Sequence, residues 1–449
     1  MRKDNGKRSG KREAGPERAD AVIIGGGASG LAAAVTLAET LALSKKSRES
    51  RGRCPRNIIV LEKMDEPGRK ILASGNGRCN LSNRACPDWK NTDHFFRHIG
   101  VLTRTDEAGR MYPYSEDAKS VRDALVRKLR ILGVEIRTSS QVESISQMED
   151  TEYGFRIRYS WDFSREKHKR KGDADSSKPS GASRRILDTK LLLLSSGGKA
   201  GPAFGTSGDG AIFARSLGHT VTRLVPALTA VETKEDLHAC AGARAKVRLT
   251  LLYKGMKKGS WDGECQFTSY GISGICVFDL SRALVIPEGK KSMERKDIKT
   301  GLGEYRVQID FLPETAGILD SEKLLRSLFG EKVDEVDLSS IVRKNLAEHL
   351  LREEGTQVSP GRAAEILKTF SVTPKNLKGW EKAQVTRGGV LLSEVNPDTG
   401  SSKFVPGLYF SGEILDYDGP CGGFNLNHAW QSGIRAGRAM ADVLLKMDD

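Results

Sequence analysis

Two cysteines sit in turns rich in glycine and asparagine, Gly75-Asn76-Gly77-Arg78-Cys79-Asn80 and Cys421-Gly422-Gly423-Phe424-Asn425. A thiol in such a turn can give a proton to a reacting carbon, and the amide of Asn80 or Asn425 can hold a carbonyl beside it. His428, one turn into the stretch that follows, is a third candidate acid. Each has a plainer reading, because intracellular cysteines are mostly buried and inert and a helical histidine usually packs or caps. The seven cysteines show no CxxC and no Cys/His cluster at zinc spacing, so neither a metal site nor a disulfide framework is expected.

Proton donors need a partner that moves electrons, and the opening of the chain supplies its binding element. Ala21–Ile24 is an all-apolar strand, Leu31–Leu43 continues as an Ala/Leu-rich helix, and Gly25, Gly27 and Gly30 lie between them in GxGxxG spacing. The first glycine permits the tight turn, the second lets backbone approach a pyrophosphate, and the third lets helix pack on strand. The helix N-terminus then adds N–H donors and positive dipole. Asn57–Leu61 is a second strand ending at Glu62, an acid placed to accept from ribose hydroxyls. The interval from Gly30 exceeds the usual spacing of about 20 residues, and the polar run 44–57 reads as the insertion that lengthens it.

One fingerprint alone does not separate NAD from FAD. The C-terminal segment favours FAD: Gly412-Glu413 closes the strand LYFSG, and the turn 419–425 feeds a helix from about Leu426 to Lys446. The N-terminus of that helix can stabilise the negative charge a reduced flavin carries near N1. A helix cap with glycines for steric reasons is the alternative. Leu191–Leu194 is a further apolar strand, running into Ser195-Ser196-Gly197-Gly198, a turn suited to close approach of a ligand.

The chain has 449 residues and a formal charge of +14, a length that implies two or three domains. Residues 1–20 contribute +3 (seven basic, four acidic) and 160–185 contribute +4 (eight against four), and they read as a disordered tail and a low-complexity loop. The remaining +7 favours an anionic partner, with ordinary solubility charge as the alternative. Without a long apolar span or a signal peptide's apolar core, a soluble, cytoplasmic protein with no membrane contact is expected. The boundaries expected are a basic tail over 1–19, a discontinuous α/β cofactor domain over 20–220 and 384–449, a β-rich insertion over 221–312 and a helical segment over 313–383.

GGGASG at 25–30, LEK at 61–63, GRKILASGNGRCNLSN at 68–83, GRMYP at 109–113, FTSYGISG at 267–274, TRGGV at 386–390 and GEILDYDGPCGGFN at 412–425 together resemble one family. It is the bacterial FAD-binding BaiN/RdsA family, also called YhiN-like or aminoacetone-oxidase-like flavoproteins. The resemblance implies a glutathione-reductase-like Rossmann domain with inserted β-barrel-like and small helical domains. It implies FAD contacts from Gly25, Gly27, Ala28, Ser29, Gly30, Glu62, Lys63, Arg69, Lys70, Gly75, Arg78, Gly197, Gly198, Gly412, Glu413, Gly422, Gly423, Phe424 and Asn425. Ser195-Ser196, where Ala-Thr is commoner, and Cys421, where the family varies, depart from the pattern.

The activity implied is reduction of a ribosomal RNA uridine to dihydrouridine, driven by NAD(P)H. Reduction of a small unsaturated ketone or bile-acid intermediate, or oxidation of an amine, is the alternative, and an RNA-binding protein with a structural flavin is a third reading. Lys70, Arg78 and Arg387 could hold RNA phosphate or, equally, the cofactor's diphosphate.

Overall fold

The computed structural model describes residues 15–44, 54–149, 152–162, 182–284 and 302–447. Residues 1–14 of the expected tail, 45–53 of the polar insertion and 163–181 of the low-complexity run lie outside them. The opening strand is Glu17–Ile24, so it begins within the stretch read as tail. The flanks of the low-complexity run are not loop either: Phe155–Asp162 pairs antiparallel with residues 182–189 of the strand Ala182–Leu194.

The opening strand pairs in parallel with Ile58–Leu61 on one side and with Ala182–Leu194 on the other, with Ala21 opposite both Ile58 and Leu191. Glu135–Arg137 extends the sheet beyond Ile58–Leu61, and Leu408–Phe410 returns from the far end of the chain to pair with Leu192–Leu194. Ala21 and Ile23 enter the core on one face, whereas Val22 and Ile24 enter a second core on the other. Burial on both faces is why these strands read as unbroken apolar runs rather than as alternation. The first face is covered by helices Ala28–Ala42 and Phe424–Lys446. Those helices pack closely because Gly433 and Gly437 lie one turn apart. A Cβ at either would stand 2.2 Å from Ser29 O or 2.3 Å from Ala33 O.

The chain leaves this body through Val225–Ala227 and returns through Val385–Arg387, and the two strands pair antiparallel with Pro226 opposite Thr386. Between them a seven-stranded sheet runs in the order Phe370–Val372, Tyr305–Asp310, Arg244–Tyr253, Met256–Thr268, Gly271–Ser273, Val231–Thr233, Pro374–Leu377. Helices Ile318–Phe329, Lys344–Leu351 and Pro360–Thr369 pack on it, and Leu325, Leu346 and Leu367 share one core with Leu249 and Val307. The segment read as mostly helical also supplies two strands to this sheet, because Phe370–Val372 and Pro374–Leu377 follow its last helix. Among the described residues no helix is long and apolar enough to cross a membrane.

Candidate active site

Three backbone turns and two loops converge at the carboxyl ends of the parallel strands. In the opening turn Gly25 has φ +107, and its N–H bonds Leu61 O at 2.9 Å. A Cβ on Gly30 would lie 2.0 Å from Gly25 O and 2.6 Å from Ser195 Oγ, so only glycine lets the helix start here. Ser195 clamps the same turn, its hydroxyl donating to Ile24 O at 3.0 Å or Gly25 O at 3.1 Å. Nothing lies within 4 Å of a Cβ built on Gly27. The turn is therefore filled at its first and third glycines and open at its second, the cradle a diphosphate requires.

Glu62 stands beside it, its carboxylate accepting from Gly26 N–H at 2.8 Å and Met64 N–H at 2.8 Å. Burial raises its pKa. The bond to Gly26 ties the acid to the turn, and the remaining lone pairs suit ribose hydroxyls. Ala28 begins the helix, and Ser29 sits beneath the strand end, its hydroxyl donating to Ser411 O at 3.3 Å.

Several charged groups expected against the cofactor also have partners within the protein. Lys70 pairs with Glu413 at 2.6 Å, and the other oxygen of Glu413 accepts from Thr386 N–H at 2.8 Å. Lys63 pairs with Asp209 at 2.8 Å and Arg69 with Asp65 at 2.6 Å. Arg78 lies over the Tyr112 ring at 4.8 Å, and Arg387 donates to Arg282 O at 2.7 Å. Gly197 takes φ +74, and a Cβ on Gly198 would strike Thr386 Oγ1 at 2.3 Å. Thr386 is fully buried and accepts from the backbone N–H of Lys199 and Ala200, fixing the turn after Gly198.

The loop 75–80 is bent by successive left-handed residues, Gly75 (φ 58), Asn76 (φ 56), Gly77 (φ 82) and Cys79 (φ 59). Asn76 and Cys79 occupy a region that costs a non-glycine residue on the order of 1 kcal/mol. Cys79 has no exposed surface and packs into the core under the opening helix, and burial pushes its thiol up to about 12. Asn80 is nine-tenths buried with Oδ1 unpaired, and it faces the closing turn: a Cβ on Gly423 would come within 2.7 Å of that oxygen.

In the closing turn Gly422 and Gly423 have φ +108 and +103 and lead straight into the helix. Phe424 is its first residue. Asn425 is spent on the turn itself, accepting from Gly419 N–H and donating to Gly419 O, both at 2.8 Å. Cys421 is partly exposed, its Sγ 3.9 Å from Gln384 Oε1, and burial first and Asp279 second push its thiol up to about 12. His428 stacks on Tyr417 with ring centroids 4.0 Å apart, its Nε2 is buried and unpaired, and burial lowers its pKa to about 4. It is therefore a neutral imidazole at physiological pH.

Asn427 was not singled out by the sequence. Its Oδ1 accepts from Ser82 Oγ at 2.7 Å and Thr92 Oγ1 at 2.6 Å, and its Nδ2 donates to Asp88 at 2.6 Å. Together with Asn83 Nδ2 donating to Gly422 O at 3.0 Å, this buried network fastens the strand Ser82–Asn83 to the closing helix. The open second glycine, the acid beside it and the unpaired Asn80 oxygen at a helix N-terminus fit FAD. No group of three or more metal-binding side chains occurs among the described residues.

His428 makes a prediction about acid stability. Its ordinary value of 6.5 in the unfolded chain falls to about 4 on folding, so as pH drops the unfolded state takes the proton first. The stabilisation is complete above pH 6.5 and is lost between there and pH 4, the loss reaching about 2 kcal/mol at pH 5. His428→Phe, which keeps an aromatic ring against Tyr417, is expected to flatten the fall in melting temperature between pH 7 and pH 5. An unchanged slope would remove His428 from the account.

Residues 88–439 match the family model described as HI0933-like protein Rossmann domain. The chain is 32% identical to the 3-dehydro-bile acid delta(4,6)-reductase of Clostridium scindens, over 94% of this chain and 98% of that protein. It is 26% identical to the ribosomal RNA dihydrouridine synthase of Escherichia coli, over 93% and 96%. The Haemophilus influenzae protein of the same name is 24% identical, over 92% and 96%. With its Rossmann sheet, open diphosphate cradle and helix-capped closing turn, the chain belongs to the HI0933-like family, the BaiN/RdsA flavoproteins, and is an FAD-dependent oxidoreductase.

Proposed function

We propose that this protein uses NAD(P)H to reduce a carbon–carbon double bond conjugated to a carbonyl, and that its substrate is a uridine of large-subunit ribosomal RNA, converted to dihydrouridine. Two of its relatives are named for that reaction, and another for reduction of a 3-dehydro-bile acid. A uracil C5=C6 bond and an enone share one polarity: hydride enters at the carbon β to the carbonyl and a proton at the α carbon. FAD, when bound, supplies the hydride and regains its electrons from NAD(P)H.

The observation that carries the reading is Cys421, a partly exposed thiol at the N-terminal end of the closing helix. Open to solvent at one side, it can give its proton to the α carbon and recover one from water. Cys79, sealed in the core, is the poorer donor. The N–H groups of the opening turn and its helix would hold the diphosphate, and Glu62 the ribose.

RNA is preferred to a small acid because the +7 that remains outside the tail and the low-complexity run favours a polyanion. A cytoplasmic location belongs to the same reading. The 32% identity to the bile-acid enzyme favours a small enone as the second reading. The test compares ribosomal RNA from cells with and without the gene by nuclease digestion and mass spectrometry. A uridine two daltons heavier only where the gene is present supports the proposal, and identical spectra favour the enone.

A further inference from the structure

We propose that Asp279 and Arg282, on the helix Ile275–Ala283 of the inserted module, are positioning residues that hold Cys421 in place for proton transfer. The proposal rests on the reading of Cys421 as proton donor. Asp279 Oδ1 accepts from the Cys421 backbone N–H at 2.7 Å. One turn along the same helix, Arg282 Nε bonds Asp418 Oδ2 at 2.9 Å, and its Nη2 reaches the Asp418 carbonyl. Arg387 closes the cluster by donating to Arg282 O at 2.7 Å from the return strand Val385–Arg387.

These contacts join parts of the chain more than a hundred residues apart. Asp279 and Cys421 are 142 positions apart, and Arg282 and Asp418 are 136. The loop they grip runs Gly419-Pro420-Cys421-Gly422-Gly423; Asn425 holds Gly419 and Asn83 holds Gly422, and Asp279 is the side chain that holds the backbone N–H of Cys421. Phe278, on the same helix, packs with Cys421 against Ala227, Leu228 and Val385 at the crossing between the two bodies. A hydrogen bond to the backbone of the acid itself, rather than to a residue nearby, makes the inserted module part of the geometry of the reaction. A shift of about 1 Å in a reacting group can lower a rate about a hundredfold.

The test uses the FAD-loaded enzyme with three variants. Asp279→Ala removes the acceptor, Asp279→Asn keeps a carbonyl oxygen in its place, and Cys421→Ala removes the thiol. In Asp279→Ala, amide hydrogen exchange at Cys421 should quicken about tenfold and reoxidation of reduced enzyme by substrate should slow about tenfold. Bound FAD and reduction by NAD(P)H should be unchanged. Asp279→Asn should bring both values back to within about twofold of the parent. Parental exchange and reoxidation in Asp279→Ala, with Cys421→Ala slow, would overturn the positioning role and leave the donor standing. Parental reoxidation in Cys421→Ala would overturn the donor and the positioning role together.

Discussion

Gly27→Ala is expected to yield a folded protein that no longer retains FAD. The residue has φ −83 and ψ −167, a conformation open to alanine, and a methyl group there would meet nothing within 4 Å. Folding should therefore be nearly unaffected, with a melting temperature of the apoprotein within about 2 °C of the parent. The space the methyl would enter is the cradle of the opening turn, where a diphosphate must come against backbone. Affinity for FAD should fall at least 100-fold, about 2.7 kcal/mol. Gly30→Ala should behave differently, because its methyl would be driven to 2.0 Å from Gly25 O, and the strand, the turn and the helix would all have to shift. It should lose FAD and several kcal/mol of stability together. Fluorescence titration with FAD and melting curves of the two apoproteins separate the cases. FAD bound equally well by Gly27→Ala would mean that the cofactor does not lie across this turn.

Cys421→Ala is expected to keep its FAD and its reduction by NAD(P)H while reoxidation by substrate slows about 100-fold, the usual scale of a lost general acid. The thiol is partly exposed and touches the core only at its edge, so stability should change little. Cys79→Ala is the counterpart: a fully buried side chain at φ 59 whose loss should cost about 1 kcal/mol of stability and leave reoxidation near the parental rate. Rapid-mixing measurements of the two half-reactions under anaerobic conditions distinguish these outcomes. A slow Cys79→Ala beside a normal Cys421→Ala would reverse the assignment.

The parts of this molecule legible in its sequence are those whose meaning is local. A strand, three spaced glycines and a helix are contiguous, and the structure has the strand end at Ile24 and the helix begin at Ala28. The return of the C-terminal strand to the same sheet is likewise readable, since Leu408–Phe410 is a short apolar run that needs a buried place. What the sequence hides is pairing at long range. Nothing local says that Lys70 will meet Glu413, 343 positions away, or that Asn427 will gather Ser82, Thr92 and Asp88. Gly433 and Gly437 would be read as weak points in a helix, and their purpose is visible only once Ser29 and Ala33 are seen against them. The charged run after Asp162 likewise conceals a strand pair, because its composition outweighs the apolar alternation on either side.

The charges drawn inward have a consequence for substrate binding. Lys70, Lys63, Arg69 and Arg387 each hold a partner within the protein, and we propose that the diphosphate is bound chiefly by backbone N–H groups and the helix terminus. The cation of Lys70 is neutralised by Glu413, which is itself fixed by Thr386, so this cluster serves to brace the turn at Gly198 against the closing strand. An anionic substrate would draw on basic residues elsewhere on the surface.

The central claim is that FAD spans the molecule from the opening turn to the closing helix and passes electrons to substrate there. The most direct measurement is the cofactor content of the purified protein, followed by anaerobic reduction with NAD(P)H and addition of substrate. Equimolar FAD that bleaches with NAD(P)H and recovers its colour with uridine-containing ribosomal RNA is the result predicted. Colourless protein that takes up no added FAD would contradict it.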